Sequence, residues 1–276
     1  SAGYAEAARG RIAYFETSRG CPYSCAFCLS GEGARPRFFE LDELFGDLLR
    51  LAGSGVKTIK FVDRTFNANA AHANRILRFI LDHYGKDIPA GVCFHFEIAG
   101  DILREETFAL LEQMPPGAVQ LEIGIQSFCE KALEAVNRKT NTALLESNIR
   151  RLVEMGNMHI HIDLIAGLPH ETLEIFAESF NRAYSLGAHM LQLGFLKLLY
   201  GSAMRARPRD YPCEYSPQAP YEVRSTPWIS CGELRLLHYT ESALERVYNS
   251  GRFRLTAEYV LKASGKSPFE FYTGLG

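Results

Sequence analysis

The sequence predicts an α/β fold whose parallel sheet curls into a full or partial barrel. Three observations point there. Six β-rich runs recur along residues 11–199, helical stretches of roughly 10–20 residues separate them, and polar residues return with period two inside the strands.

The first run, RIAYFETS (11–18), leads straight into a loop that carries three cysteines. LDELFGDLLRLAGSG (41–55) has helical spacing and ends in glycines, a C-terminal stop signal. The strand VKTIKFVD (56–63) precedes a helix from about Asn69 to Tyr84, and GVCFHFEIAG (91–100) precedes one over roughly 103–113. AVQLEIGIQS (118–127) is followed by helices near 129–136 and 141–155, with Asn141 as N-cap of the second and Gly156 as its stop. MHIHIDLIAGLP (158–169) and HMLQLGFLKLL (189–199) are two further strands, separated by a helix from about 171 to 186. Right-handed crossovers between such parallel strands generate a barrel or part of one.

Strands buried on both faces read as continuous apolar runs. These do not. His95 and Glu97 alternate with Phe94 and Phe96, and Glu122, Gly124 and Gln126 alternate with Leu121, Ile123 and Ile125. His159, His161 and Asp163 alternate with Ile160, Ile162 and Leu164; Gln192 and Gly194 alternate with Leu191 and Leu193. Period two means one face. Each strand therefore keeps an apolar side for the helices and a polar side turned inward, the lining of a wet, ligand-holding cavity.

Composition narrows the function. A formal net charge of −2 and the lack of any Lys/Arg block give no footprint for a polynucleotide or an anionic membrane surface. No apolar run approaches the ~20 residues of a membrane span, and the opening SAGYAEAARGR lacks a secretory apolar region. Seven cysteines, three of them crowded together, argue for reduced thiols that bind metal in a cytoplasmic setting.

Those three, Cys21, Cys25 and Cys28, follow the spacing C-x3-C-x2-C. The loop comes after the first strand, at the end of the sheet where α/β proteins place their chemistry. A structural zinc site wants four ligands in two close pairs, and Cys93, Cys129, Cys213 and Cys231 are isolated. A cubane iron–sulfur cluster ordinarily takes four thiolates. Three leave one iron open, a defect in an electron carrier but a coordination site in an enzyme.

At CPYSCAFC, with the aromatic Phe27 before the last cysteine, the sequence resembles the cluster loop of the radical S-adenosylmethionine (SAM) enzymes. The resemblance spans roughly residues 11–200 and implies a partial (β/α)6 TIM-like barrel. It implies a [4Fe-4S] cluster on Cys21, Cys25 and Cys28, with SAM chelated by the open iron and reductively cleaved to a 5′-deoxyadenosyl radical. FVDRTFN (61–67) stands where the family often has a glycine-rich turn, which makes Asp63 the candidate for the SAM amine. GIQSF (124–128) and DLIAGLP (163–169) resemble ribose-binding stretches of the coproporphyrinogen-oxidase-like branch, giving Gln126 and Asp163 to the ribose and Gly167 to the adenine. A one-electron donor such as flavodoxin or ferredoxin is implied as reductant.

Beyond residue 200 the composition changes. RARPRDYPCEYSPQAPYEVRSTPWIS (205–230) holds five prolines and four aromatics, which is loop chemistry. Ser230 with Glu233 forms a capping box for a helix to about Asn249, and another helix runs over about 254–264. Residues 1–200 thus read as the barrel and 201–276 as a lid with a helical extension.

FVDRTFN, FHFEIAGD and HIHIDLIAGLP resemble radical SAM enzymes that carry an N-terminal cobalamin-binding domain. With only about ten residues ahead of the cluster strand, the chain reads as stand-alone and then resembles the queuine lyases, which cut a C–N bond of a 7-deazaguanine base. A small, polar, purine-like substrate suits the inward groups. Glu97, Glu122, His95 and His161 are the catalytic candidates, with Tyr200 and Tyr221 placed to stack on a base, and neither nucleic acid nor membrane is expected as partner. Two other readings stand beside this one: the core of a cobalamin-dependent methyltransferase cut from a longer protein, and a non-catalytic iron–sulfur scaffold.

Overall fold

The computed structural model describes residues 2–30 and 35–276. In chain order the first elements are α1 (Ala2–Ala7), β1 (Ile12–Phe15), β2 (Ser18–Arg19), β3 (Arg37–Phe38), α2 (Leu41–Gly53), β4 (Thr58–Phe61), α3 (Ala70–His83), β5 (Cys93–Ile98) and α4 (Glu105–Glu112). Then come β6 (Val119–Gln126), α5 (Glu130–Ala135), α6 (Thr142–Met155), β7 (His159–Ala166), α7 (Leu173–Tyr184) and β8 (Met190–Phe195). The chain ends through α8 (Ala203–Ala206), β9 (Glu214–Tyr215), β10 (Val223–Ser225), α9 (Cys231–Leu244), α10 (Arg254–Ser264) and α11 (Pro268–Leu275).

Six strands form one sheet in the order β1-β4-β5-β6-β7-β8, with β1 and β8 at its open ends, the sheet of a partial barrel. The ladders β1–β4, β4–β5, β5–β6 and β7–β8 are parallel. Local chemistry sets the helix starts. The Asn69 side chain accepts a hydrogen bond from His72 N at the head of α3, and Thr172 accepts from Ile175 N at the head of α7. The capping box of Ser230 and Glu233 opens α9 as its spacing predicts. Gly156 ends α6 with φ +68°, a left-handed conformation that favours glycine.

By its contacts the chain divides into two compact units. The first comprises Ser1–Pro22, Gly33–Ile123 and Ala143–Ile160; the second comprises Tyr23–Glu32, Gly124–Thr142 and His161–Gly276. The compositional break near residue 200 falls inside the second.

In the first unit the apolar side of β4 and β5 is aromatic. The Phe61 ring lies 4.6 Å from Phe96 and 5.4 Å from Phe15, and Phe66 lies 4.1 Å from Phe96. Phe45 of α2 stacks on Phe79 of α3 at 4.0 Å. The Asn67 amide donates to Ala99 O and accepts from Ala99 N, which ties the loop after β4 to the end of β5.

The second unit folds the C-terminal region onto α7 and β8. Phe176 and Phe180 of α7 pack edge-on against Phe269 of α11, and Tyr272, fully buried, lies 6.1 Å from Phe180. α9 continues into a π-helical turn, Glu245–Asn249. There Asn249 accepts from Leu191 N and donates to Leu191 O, both at 3.0 Å, and the Tyr248 hydroxyl donates to Ala188 O. The proline-rich stretch holds a small antiparallel pair, β9 with β10, and Trp228 packs 4.4 Å from His170.

Candidate active site

In the first unit, residues Val119–Ile123 of β6 alternate between buried and half-buried, so Glu122 lies on the polar face that the sequence predicts. Parallel register sets Lys60 beside His95 and Glu97 beside Glu122. The result is a connected polar cluster on three neighbouring strands. Lys60 Nζ lies 3.0 Å from Glu122 Oε2 and 3.4 Å from Glu97 Oε1, and His95 Nε2 lies 2.9 Å from Glu122 Oε2. Arg64, largely exposed, reaches Glu97 at 3.9 Å.

Burial pulls the Lys60 pKa down, but Glu122 and Glu97 outweigh it and hold it above the ordinary lysine value. Burial, with the Glu122 charge behind it, raises Glu97 above the usual carboxylate range. Three of the four expected catalytic residues thus belong to one cluster. The fourth, His161, belongs to the second unit, with Nε2 2.9 Å from Asp163 Oδ1.

Asp63, the candidate for the SAM amine, is tied to the segment after β1. Its buried carboxylate accepts from Thr17 N at 3.0 Å, Thr17 Oγ1 at 2.7 Å and Ser18 Oγ at 2.6 Å. Asp63 therefore braces the turn that leads toward Cys21, with three acceptor positions taken by Thr17 and Ser18. Nearby, Cys21 Sγ and Thr65 Oγ1 are 3.4 Å apart.

In the second unit the tripeptide Val136–Asn137–Arg138, after α5, grips the cysteine loop. Ala26 N donates to Val136 O at 2.8 Å, and the Asn137 amide donates to Ser24 O and Oγ at 3.1 and 2.5 Å. Arg138 Nη2 donates to Gly124 O at 2.8 Å, Nη1 lies 3.9 Å from Cys25 Sγ, and the guanidinium sits 5.4 Å from the Tyr23 ring centre. Asn137 takes φ +54°, a conformation that asparagine tolerates better than most residues. Ser30 N donates to Cys28 Sγ at 3.4 Å. Phe27 is half-buried.

Within the second unit the Cys25 and Cys28 sulfurs each have an N–H donor beside them, Arg138 Nη1 and Ser30 N, the kind of contact that tunes the thiolate ligands of an iron–sulfur cluster. Arg138 itself carries no signal in the sequence, because its partners lie 14 and 113 residues away.

Gln126 has φ +70°, rare for a residue with a side chain, and its amide folds back over Gly124, where a β-carbon would collide with it. Asp163 is half-buried beside His161. Gly167 needs its glycine: φ is +91°, and the space on its side-chain face is walled by Leu196, Val223 and Leu234. Tyr200 and Tyr221, expected to stack on a base, meet edge to face at 5.2 Å, and the Arg205 guanidinium lies 3.6 and 4.8 Å from their ring centres. Glu171, which the sequence reading leaves aside, is buried and accepts from Ser127 Oγ at 2.5 Å. Burial pushes its pKa up to about 8. No helix among the described residues is long and apolar enough to cross a membrane.

A partial barrel with a C-x3-C-x2-C loop after its first strand defines a class of cluster-binding enzyme, and comparison with known proteins agrees. Residues 15–183 match the radical SAM superfamily, and residues 209–276 match a family described as a protein of unknown function, DUF4080. The chain belongs to the radical SAM superfamily, whose members use a [4Fe-4S] cluster and SAM. It is 25% identical over 186 residues to a ribosomal protein uS12 methylthiotransferase of Myxococcus xanthus, covering 59% of this chain and 35% of that protein. It is 28% identical over 199 residues to the 2-(S-pantetheinyl)-carbapenam-3-carboxylate methyltransferase of Streptantibioticus cattleyicolor, covering 64% and 26%.

The chain therefore spans about a third of the first of these curated relatives and about a quarter of the second. In fold it is similar to the radical SAM methyltransferase TsrM of Kitasatospora setae, solved with cobalamin and a [4Fe-4S] cluster (TM-score 0.62, 22% identity, 71% of this chain and 38% of that one). It is likewise similar to coproporphyrinogen III oxidase of Escherichia coli (TM-score 0.60, 20% identity, 88% and 54%).

Proposed function

We propose that this chain is the radical SAM core of a cobalamin-dependent transferase that moves a one-carbon group to a small polar substrate. The observation that carries the reading is the cysteine triplet on its clamped loop, in a chain whose matched curated relatives perform methyl and methylthio transfer. The C–N lyase reading on queuine has no counterpart among the relatives named above. When bound, the cluster and SAM supply reductive cleavage of the sulfonium, and cobalamin supplies a transferable methyl group.

The chain's own residues do the rest. Cys21, Cys25 and Cys28 would hold the cluster, three thiolates where four are ordinary. Gln126 and Asp163 offer acceptors to the ribose diol, and Phe27 and Gly167 shape the cofactor's surroundings. Glu97 and Glu122, with Lys60 between them and His95 against Glu122, bind the substrate's N–H or ammonium groups as charge-assisted acceptors. A flavodoxin or ferredoxin delivers the electron.

The test is an anaerobic reaction of the reconstituted protein with SAM, dithionite and cob(I)alamin, followed by mass spectrometry, with Cys25→Ala as control. Methylcobalamin and S-adenosylhomocysteine should form, with 5′-deoxyadenosine rising in the wild type and absent in the control. Conversion of added queuine to its aminomethyl-deazaguanine precursor would instead establish the lyase. Neither activity from a fully loaded protein would leave the scaffold.

A further inference from the structure

We infer that Arg138 sets the reduction potential of the iron–sulfur cluster by holding an uncompensated positive charge against the Cys25 sulfur. The geometry is local to the second unit. Arg138 Nη1 lies 3.9 Å from Cys25 Sγ, while Nη2 is fixed on Gly124 O at 2.8 Å and the guanidinium sits over the Tyr23 ring. Two anchors therefore fix the plane and aim the remaining N–H edge at the sulfur. No carboxylate pairs with Arg138 among the described residues, and its Nε is buried without a hydrogen-bond partner. Cys25 is only 7% exposed, so water screens the charge weakly.

One electron from a low-potential donor takes the cluster core from charge 2+ to 1+. With three thiolates that adds negative charge at the sulfurs. A fixed cation beside one of them stabilises the reduced form more than the oxidised form, and hydrogen bonds to sulfur act in the same sense. Arginine keeps its charge at every working pH, so this bias is permanent. It makes the cluster easier to charge by a cellular reductant. The inference rests on Cys25 being a cluster ligand.

The experiment is a redox titration of the reconstituted protein without SAM, followed by electron paramagnetic resonance of the reduced cluster. Arg138→Met should lower the ratio of reduced to oxidised cluster about tenfold at a fixed potential, which for one electron is a shift of about 59 mV. Arg138→Lys, which keeps the charge, should recover most of that. An unchanged potential in a fully loaded Arg138→Met overturns the inference and leaves Arg138 as a brace. If Arg138→Met fails to load, wild type labelled with 15N-arginine decides. Nitrogen modulation on the reduced cluster, lost in Arg138→Lys labelled the same way, supports the contact, and its absence overturns it. A wild type with no cluster signal would overturn the ligand assignment and this inference together; a loaded cluster indifferent to Arg138 overturns this inference alone.

Discussion

The Lys60 ammonium stands 3.0 Å from the Glu122 carboxylate and so joins β4 to β6 across the intervening β5. Glu97 on that middle strand is the direct register partner of Glu122. Like charges placed opposite one another destabilise a ladder, and Lys60, 3.4 Å from Glu97 and 3.0 Å from Glu122, offsets one of the two charges.

Lys60→Met should therefore destabilise the protein by about 1–3 kcal/mol at pH 7. Without the ammonium both carboxylates rise in pKa, so the folded state binds protons more readily than the unfolded chain. Stability must then recover as pH falls into the carboxylate range. Urea unfolding at pH 7 and about pH 4 checks this. An equal loss at both values would show that Lys60 acts by packing its stem rather than by its charge.

Asp63→Asn exchanges an acceptor of three hydrogen bonds for a group with one oxygen and two N–H donors, facing Thr17 N, Thr17 Oγ1 and Ser18 Oγ. A loss of about 1–3 kcal/mol is expected, with looser support for the segment before Cys21. Iron content after reconstitution should fall along with the unfolding midpoint. Normal iron loading at an unchanged midpoint would remove Asp63 from this role.

Glu171 carries a pKa pushed up to about 8 by burial, above its ordinary value of 4.5. A raised carboxyl keeps its proton in the folded state while the unfolded chain releases it. Its contribution is complete below about pH 4.5 and is lost as pH rises through about 8, at up to ~1.4 kcal/mol per pH unit. Glu171→Gln, which keeps the acceptor for Ser127 Oγ, should match the wild type near pH 4 and exceed it in stability at pH 8. Parallel stability curves for the two proteins would mean that Glu171 is ionised in the fold.

Tyr272 is fully buried against Phe180 and Tyr184. Tyr272→Ala should cost about 3–5 kcal/mol through the cavity it leaves. Tyr272→Phe should cost much less, because the hydroxyl's contact with the Tyr184 hydroxyl is long, at 3.5 Å. Calorimetry of both variants separates packing from the hydrogen bond, and similar losses would assign the effect to the hydroxyl.

The order of strands and helices was legible because periodicity and capping are local. The alternation of β6 reads directly as its burial pattern, and Ser230 with Glu233 caps α9 as their spacing implies. α11 escaped the sequence reading although Ser267, Pro268 and Glu270 carry the same kind of start signal. It is only eight residues long, too short for the helical period to show. The site was legible only as far as its motifs. The cysteine spacing is local, whereas Asp63 meets Thr17 across 46 residues and Arg138 meets Cys25 across 113. Tertiary folding alone decides such pairs. The side-chain face of Gly167 meets Leu196, Val223 and Leu234, contacts far along the chain that no local motif announces.

The hold of Asn249 on Leu191 has a consequence for the margin of the sheet. β8 is a terminal strand of the sheet, and an unpaired strand edge is a template on which other chains can add. By accepting from Leu191 N and donating to Leu191 O, the Asn249 amide imitates the neighbouring strand that β8 lacks. The Tyr248 hydroxyl occupies Ala188 O just before the same strand. Part of the region that matches DUF4080 thus occupies hydrogen-bonding groups on this margin of the sheet that would otherwise be open to another strand.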